Sequence, residues 1–157
     1  MKTINLNIAI RHCQLDELTV ADRELIEQAM KATDNAYAEY SHFYVGAALR
    51  LADGRIVIGA NQENAAFPSG LCAERTAVFS AQANFPDQSI DTLALVARND
   101  NGLTDNPLRR VEPVVRCCLA WKNAMAYQCV YLCTAKAECI ALVRRKIYCH
   151  CRLSIQV

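Results

Sequence analysis

The C-terminal part of the chain, residues 108–157, contains no glycine, no aspartate and no phenylalanine. It carries nine lysines and arginines against two acidic residues, Glu112 and Glu138, which gives a net charge of +7. Residues 1–107 hold eight basic and fourteen acidic residues, a net charge of −6. Glycine averages about 7% of protein sequences, so its absence from so long a stretch marks a break in composition near residue 107.

Other absences narrow the class of protein. No apolar run approaches the roughly 20 residues that span a bilayer, and the N-terminus lacks the basic-then-apolar order of a secretory signal. We therefore expect a cytoplasmic protein with no membrane partner, whose nine cysteines are thiols, metal ligands or core residues. The length of 157 residues is that of a single domain, residues 1–157.

The basic C-terminal part raises the hypothesis of a tail that binds nucleic acid, which predicts salt-sensitive binding to DNA or RNA. Such tails are rich in polar residues, whereas residues 108–157 are apolar and hold seven of the nine cysteines. The net charge of the whole chain is only +1. We therefore expect no nucleic-acid partner.

Residues 20–107 predict alternating strands and helices. Thr19 and Asp22 mark the start of a helix over residues 20–37, and β-forming residues on either side of the Asp53-Gly54 turn predict strands over 43–51 and 55–59. A loop over 61–70, a buried helix over 72–83 and a strand over 92–97 follow. This order predicts an α/β layered sheet with the active residues at a loop-to-helix junction.

Cys72 and Glu74 form the most informative local pattern. A thiolate at a helix N-terminus is stabilised by the free N–H groups there, and a carboxylate two positions later can carry a proton beside a metal that the thiolate holds. A small buried cysteine and a solvated glutamate are the alternative for these residues alone, and without further residues we would prefer it.

Four segments in order resemble the cytidine deaminase family over about residues 20–107. They are residues 40–49 (Tyr-Ser-His-Phe-Tyr-Val-Gly-Ala-Ala-Leu), Asp53-Gly54, residues 59–65 (Gly-Ala-Asn-Gln-Glu-Asn-Ala) and residues 72–77 (Cys-Ala-Glu-Arg-Thr-Ala). The resemblance implies a three-layer α/β/α sheet with helices on both faces. It leaves the fold of residues 108–157 unassigned.

The resemblance also implies the site. Phe43 would pack on the pyrimidine, Asn61 and Glu63 would bind the ribose hydroxyls, Cys72 would ligate Zn²⁺, Glu74 would move protons, and Arg75 would hydrogen-bond the ligand thiolates. Without the family match, loop capping for Asn61 and Glu63 and a core role for Phe43 would be preferred. The implied partners are a nucleoside substrate and further copies of the chain in a homotetramer. Cytidine, deoxycytidine and nucleoside antibiotics stay open as substrates.

The second half of the implied zinc site is missing from the sequence. The family supplies two more cysteines from a Pro-Cys-x-x-Cys segment, expected soon after Pro107, and no such segment occurs in the chain. Three protein ligands are the usual set for a catalytic zinc. The chain is therefore either a zinc-dependent deaminase or a non-enzymatic, defective relative of one, and for this sequence we favour the second hypothesis.

The genetic code offers an explanation for the missing segment. If residues 109–116 are encoded CGC CGT GTG GAG CCT GTC GTC AGG, translation from the third base gives Pro-Cys-Gly-Ala-Cys-Arg-Gln. The same offset permits Val-Leu-Leu-Gly-Met-Glu-Lys-Arg-Tyr-Gly from residues 117–126 and Leu-Pro-Leu-Ser-Phe-Glu from residues 149–154, both similar to family sequence. We hypothesise a single-base insertion or deletion near codon 107 that puts the chain out of frame from about Leu108.

Cysteines of the C-terminal part are weak substitutes for the missing ligands. Cys117 and Cys118 lie about 10 Å along a helix from the expected position, whereas a Zn–S bond is about 2.3 Å. Cys129 with Cys133, and Cys149 with Cys151 near His150, have loose spacings for an unrelated zinc site. We prefer the interpretation that these cysteines are accidental.

Overall fold

The computed structural model describes residues 10–104, 130–134 and 139–143. Two helices and seven strands alternate along this part of the chain, and 3₁₀ turns lie at Leu15–Glu17 and Thr33–Asn35. The elements are β1 (Ile10–Cys13), α1 (Val20–Ala32), β2 (Phe43–Leu51), β3 (Ile56–Ala60), α2 (Ala73–Asn84), β4 (Ile90–Asn99), β5 (Gly102–Leu103), β6 (Val130–Thr134) and β7 (Cys139–Val143). Neither helix of the described part is long and apolar enough to cross a membrane.

The strands form one mixed sheet in the order β1-β7-β6-β4-β2-β3, with β5 paired to β4 outside this path. The pair β4 and β6 is parallel, with Thr92 opposite Val130, and the other pairs are antiparallel. Strand β2 lies between β3 and β4, with Gly46 opposite both Ala60 and Val96. The predicted site residues Phe43 and Asn61 lie at the start of β2 and directly after the end of β3.

The two helices cover opposite faces of the sheet. Alternate residues of a strand point to opposite faces, and the buried residues of β2 divide accordingly between two clusters. One cluster joins α2 to residues such as Ala47 and Leu49, and the other joins α1 to Ala48 and to Val96 of β4. The predicted three-layer α/β/α arrangement is confirmed.

Local sequence explains where the main elements begin and turn. The Thr19 hydroxyl accepts a hydrogen bond from the Asp22 amide at 3.1 Å and caps α1, as the Thr-x-x-Asp pattern predicts. At the turn between β2 and β3, Gly54 has a φ of 87°, and the Asp53 carboxylate accepts from the Arg55 amide at 3.1 Å. Glycine adopts this conformation without the steric cost that other residues incur.

Two glycines let the helix backbones approach the sheet. A Cβ atom on Gly46 would lie 2.0 Å from the Ala29 carbonyl oxygen of α1. A Cβ atom on Gly59 would lie 2.4 Å from the Ala77 amide nitrogen of α2. Because these neighbours are backbone atoms, no side-chain rotation would relieve either clash. The two contacts therefore set the distance between each helix and the sheet.

The sequence predictions agree with the structure at most elements and differ at their ends. The first helix ends at Ala32, before the predicted residue 37, since the chain tightens into the 3₁₀ turn Thr33–Asn35. Strand β3 and helix α2 each start one residue later than predicted, and β4 is longer by two residues at each end. Strands β1 and β5 were not predicted. In the part of the chain whose fold the resemblance left unassigned, Val130–Thr134 and Cys139–Val143 form strands β6 and β7.

Gly46→Ala is expected to lower the free energy of unfolding by about 3 kcal/mol, because the added methyl group meets the α1 backbone. Urea denaturation measures the change. Gly102→Ala is the matched control, since Gly102 has a φ of 105° and open space around it, so that only the conformational cost of about 1–2 kcal/mol applies. A loss at Gly46 no larger than that at Gly102 would contradict the close contact.

Candidate functional site

Asn61 follows directly after β3 and joins that strand's end to β2. Its side-chain oxygen accepts from the Val45 amide at 2.8 Å, and its side-chain nitrogen donates to the Phe43 carbonyl oxygen at 2.9 Å. These bonds use one acceptor site and one N–H of the amide, which leaves one further acceptor site and one N–H. Asn61 therefore caps the strand end, the alternative weighed from sequence, and keeps groups that can meet a ligand.

Backbone pairing around Gln62 brings three segments together. Gln62 and Leu71 exchange two amide-to-carbonyl hydrogen bonds of 2.8 Å, which places Cys72 next to this loop. On the other side, Tyr37 donates to the Asn61 carbonyl oxygen at 3.0 Å and accepts from the Glu63 amide at 2.8 Å. The loop after β3, the segment before β2 and the start of α2 thus meet at one corner of the sheet, which we call the site corner (Phe43, Asn61, Glu63, Cys72 and Glu74).

The Glu63 carboxylate is held by the segment that precedes β2. One of its oxygens accepts from the Tyr40 amide at 2.9 Å and from the Ser41 amide at 3.3 Å. A side-chain hydrogen bond with Ser41 and the backbone bond from Tyr40 lower the pKa of Glu63, because they stabilise the ionised form. Its contribution to stability is therefore fully present above the unfolded-state pKa and is lost as the pH falls through the lower folded-state pKa.

Phe43 is the first residue of β2 and is partly buried against the cluster that joins the sheet to α2. Its Cα partner across the sheet is Asn99, in the last position of β4. The ring is therefore both a core residue and part of the rim of the site corner. Its predicted contact with a pyrimidine stays a prediction.

Cys72 and Glu74 lie at the N-terminal end of α2, as predicted. Cys72 is the N-cap residue and is exposed, and its carbonyl oxygen accepts from the Thr76 amide at 3.0 Å and from the Thr76 hydroxyl at 3.1 Å. Glu74 lies in the first turn and is only 5% exposed. The positive end of the helix dipole favours negative charge on both side chains.

Arg75 points along the helix toward Phe79, whose ring centroid lies 5.6 Å from the guanidinium carbon. This distance is within the range of a cation–π contact. The predicted hydrogen bonds from Arg75 to ligand thiolates stay a prediction.

The described residues do not fit a complete zinc site. Throughout residues 10–104, 130–134 and 139–143, no group of three His, Cys, Asp or Glu side chains could hold a metal ion. The described candidate ligand is Cys72, and three protein ligands are the usual set for a catalytic zinc. Of the C-terminal candidates, Cys117, Cys118, Cys129, Cys149, His150 and Cys151 lie outside the described residues, and only the backbone of Cys133, in β6, is described.

Residues 1–108 match the family model described as the cytidine and deoxycytidylate deaminase zinc-binding region. The chain belongs to this family. The fold is similar to the crystal structure of a cytidine deaminase from Burkholderia pseudomallei, with a TM-score of 0.60 and 34% identity over 74% of this chain and 85% of that chain. A cytidine deaminase structure from Mycobacterium tuberculosis gives a TM-score of 0.53 at 26% identity, covering 72% of this chain and 85% of that one.

Curated cytidine deaminases also match part of the chain. The protein from Halalkalibacterium halodurans is 52% identical over 61 residues, which are 38% of this chain and 46% of that protein. The protein from Sporosarcina psychrophila is 47% identical over 74 residues, 47% of this chain and 54% of that protein. The chain thus spans about half the length of the curated relatives it matches.

The end of the family match coincides with the break in composition. The match to the zinc-binding region stops at residue 108, and the glycine-free stretch begins there. Zn²⁺ is the metal expected of the family, and the resemblance stated from sequence is confirmed. The part of the chain that matches the family holds the segment predicted to supply Cys72 as a ligand, whereas the Pro-Cys-x-x-Cys segment is absent from the sequence.

The sequence did not reveal the contribution of Tyr37, Tyr40 and Ser41 to the site corner. These residues contact the site largely through backbone amides and carbonyls. Since nearly every residue carries these groups, the residue types do not predict such contacts. A weak signal existed in Ser41, because a serine beside a loop carboxylate is a common hydrogen-bond donor.

Asn61→Ala is expected to cost about 1–3 kcal/mol of stability, because the part-buried Val45 amide and Phe43 carbonyl lose their partner. Denaturant unfolding measures the cost, and amide hydrogen exchange at Val45 locates it. Asn64→Ala is the control, since Asn64 also accepts from a loop amide, that of Ala66 at 2.8 Å, but is exposed. Equal losses in the two variants would show that Asn61 does not join β3 to β2.

Proposed function

We propose that this chain derives from an enzyme that hydrolyses cytidine or deoxycytidine to uridine or deoxyuridine with release of ammonia, in pyrimidine salvage in the cytoplasm. The observation that carries the proposal is the site corner, in which Asn61, Glu63 and the start of α2 are joined by backbone and side-chain hydrogen bonds. The names of the matched relatives support the substrate class.

The roles follow from the chemistry of each side chain. An aromatic face such as that of Phe43 stacks on a flat base, and the amide of Asn61 with the carboxylate of Glu63 suits hydroxyls that both donate and accept. Glu74 is buried in the first turn of α2, two residues after Cys72, where a carboxylate can take a proton from water and give it to the leaving amine. The water adds its oxygen to the ring carbon, which becomes a carbonyl; one water proton ends on the ring nitrogen N3, and the other leaves with the amino group as ammonia.

We also propose a homotetramer, the assembly implied by the family resemblance. Exposed aromatic side chains near the site corner support contacts with further copies, since large apolar side chains at a surface are typical of interfaces. Tyr40 is 62% exposed, Tyr37 48% and Phe67 93%.

A second proposal concerns the chain as it stands. The sequence holds no Pro-Cys-x-x-Cys segment, the family match ends at residue 108, and the composition changes at the same place. We propose that residues 108–157 are translated out of frame and that the chain is a catalytically defective product of a cytidine deaminase gene. Residues 1–107 keep the nucleoside-facing groups, and the partners of Cys72 in holding zinc are lost.

The nucleotide sequence of the gene tests the change of frame directly. We expect codons 109–114, translated from the third base of codon 109, to encode Pro-Cys-x-x-Cys, followed by family-like sequence to codon 154. Resequencing the source DNA also separates a mutation in the gene from an error in its recorded sequence. An offset frame that is interrupted by stop codons, or that lacks the two cysteines, would exclude the proposal.

Metal content and turnover distinguish the two proposals for the chain itself. We expect the present chain to hold well below one zinc per chain and to leave the ultraviolet absorbance of cytidine unchanged, because one thiolate does not retain a catalytic zinc. The single-base-corrected protein is expected to hold about one zinc per chain and to turn over. In that protein Glu74→Gln should lower kcat by at least about 10²-fold with the zinc retained, since proton transfer is lost. One zinc and measurable turnover in the present chain would defeat the defective-product proposal, whereas an inactive corrected protein would defeat the deaminase lineage.

A further inference from the structure

The residues just before β2 form a compact hydrogen-bonded unit around Ser41. The Ser41 amide donates to the Glu63 carboxylate at 3.3 Å, next to the 2.9 Å bond from the Tyr40 amide. The Ser41 hydroxyl oxygen accepts from the Phe43 amide at 3.2 Å. Ser41 therefore touches Glu63 through its amide and the backbone of Phe43 through its hydroxyl.

The conformation of His42 allows this arrangement. His42 has a φ of 51°, in the left-handed region that residues other than glycine seldom adopt. The reversal between Ser41 and Phe43 turns the Ser41 hydroxyl toward the Phe43 amide while the amides of Tyr40 and Ser41 face Glu63. A sparsely populated backbone conformation persists where its surroundings hold it, and here those surroundings are the hydrogen bonds to Glu63 and Phe43.

We propose that Ser41 is a positioning residue for the sugar half of a pyrimidine nucleoside: its amide bonds the Glu63 carboxylate, its hydroxyl bonds the Phe43 amide, and together they hold Glu63 in a fixed orientation relative to Phe43. The proposal rests on the proposed function, in which Glu63 meets ribose hydroxyls and Phe43 meets the base. It adds that the two contacts are set by one shared residue, so that base and sugar are bound at a defined separation.

The chemistry favours orientation of Glu63 over blockage of its carboxylate. An ionised carboxylate accepts hydrogen bonds at about four lone-pair positions, and the donors from Tyr40 and Ser41 occupy at most three of them. At least one position stays open for a hydroxyl of a ligand. Bonds to an ionised acceptor are about twice as strong as neutral ones, so they can restrain an otherwise mobile glutamate side chain. Binding then loses less conformational entropy.

Ser41→Ala in the full chain tests the proposal through two separate measurements. Carbon NMR titration of the Glu63 carboxyl group should show a higher pKa in the variant, because the turn that aims the Tyr40 and Ser41 amides at the carboxylate loses its bond between the Ser41 hydroxyl and the Phe43 amide. Calorimetric titration should show cytidine binding weakened about 5- to 20-fold, with binding of the free base cytosine unchanged. Ser41→Thr keeps the hydroxyl and should restore both values.

Ser89→Ala is the matched control, since Ser89 precedes β4 at the end of the sheet opposite the site corner and its carbonyl, not its hydroxyl, bonds to the Ala52 amide. We expect this variant to change neither the Glu63 titration nor cytidine binding. If the pKa of Glu63 in Ser41→Ala equals that in the unchanged chain, the positioning role is overturned. Equal weakening of cytidine and cytosine would overturn it too, since the effect would then lie on the base or on the fold.

Failure of the proposed function gives a different pattern. If the chain with Ser41 intact binds neither cytidine nor cytosine, the nucleoside proposal fails for this chain. The Glu63 titration then decides the positioning role by itself: a raised pKa in Ser41→Ala, restored in Ser41→Thr, supports it, and no change overturns it.

Discussion

The close contact between β3 and the first two turns of α2 is the constraint on which the site corner depends. A methyl group on Gly59 would lie 2.4 Å from the Ala77 amide nitrogen and 2.6 Å from the Ala73 carbonyl oxygen. Only a residue without a side chain lets the helix seat at this depth. The seat places the N-terminal end of α2 beside the loop that leaves β3, and the paired bonds between Gln62 and Leu71 close the remaining distance. Cys72, Glu74 and Asn61 are neighbours for this reason.

The electrostatics of the corner follow from the same geometry. The helix end supplies a positive dipole for the Cys72 thiol and the buried Glu74 carboxylate, and the amides of Tyr40 and Ser41 stabilise the Glu63 carboxylate. The Glu63 carboxylate is thus met by the backbone N–H groups of Tyr40 and Ser41. A site arranged in this way keeps its charge pattern when the ligand leaves, because the backbone donors belong to the fold.

Among the described residues, the site corner brings together only part of the ligand set that a catalytic zinc needs. The donors that the described residues bring together hold no set of three metal-ligating side chains, and the family match ends where the second ligand segment would begin. The residues proposed to meet a nucleoside and the segment expected to complete a metal site belong to different stretches of the chain. A change of frame between them can remove the second and spare the first, since the cores around α1 and α2 are built from residues before 98 with partly buried neighbours up to Leu103.

Local pattern predicted the long elements well, because each carries its own signal. The capping threonine, the Asp53-Gly54 turn and the β-forming residues of β2 act within a few residues of each other. The short strands β1 and β5 escaped prediction, since β1 is defined by pairing with β7, more than a hundred residues later in the chain, and β5 has only two residues. The family resemblance supplied the candidate site residues, but their contacts, such as the strand-joining bonds of Asn61, needed coordinates.

The amino-acid sequence by itself determined the family, the main elements, the candidate groups at residues 43, 61, 63, 72, 74 and 75, and the loss of the second ligand segment, because side-chain identity and spacing are written directly in it. The tertiary structure alone decided how those groups are held. Ser41 faces a carboxylate 22 residues away, Asn61 links two strands, and Glu74 is buried. Such contacts form between segments distant in the chain and run largely through the backbone, whose donors and acceptors are the same at nearly every residue.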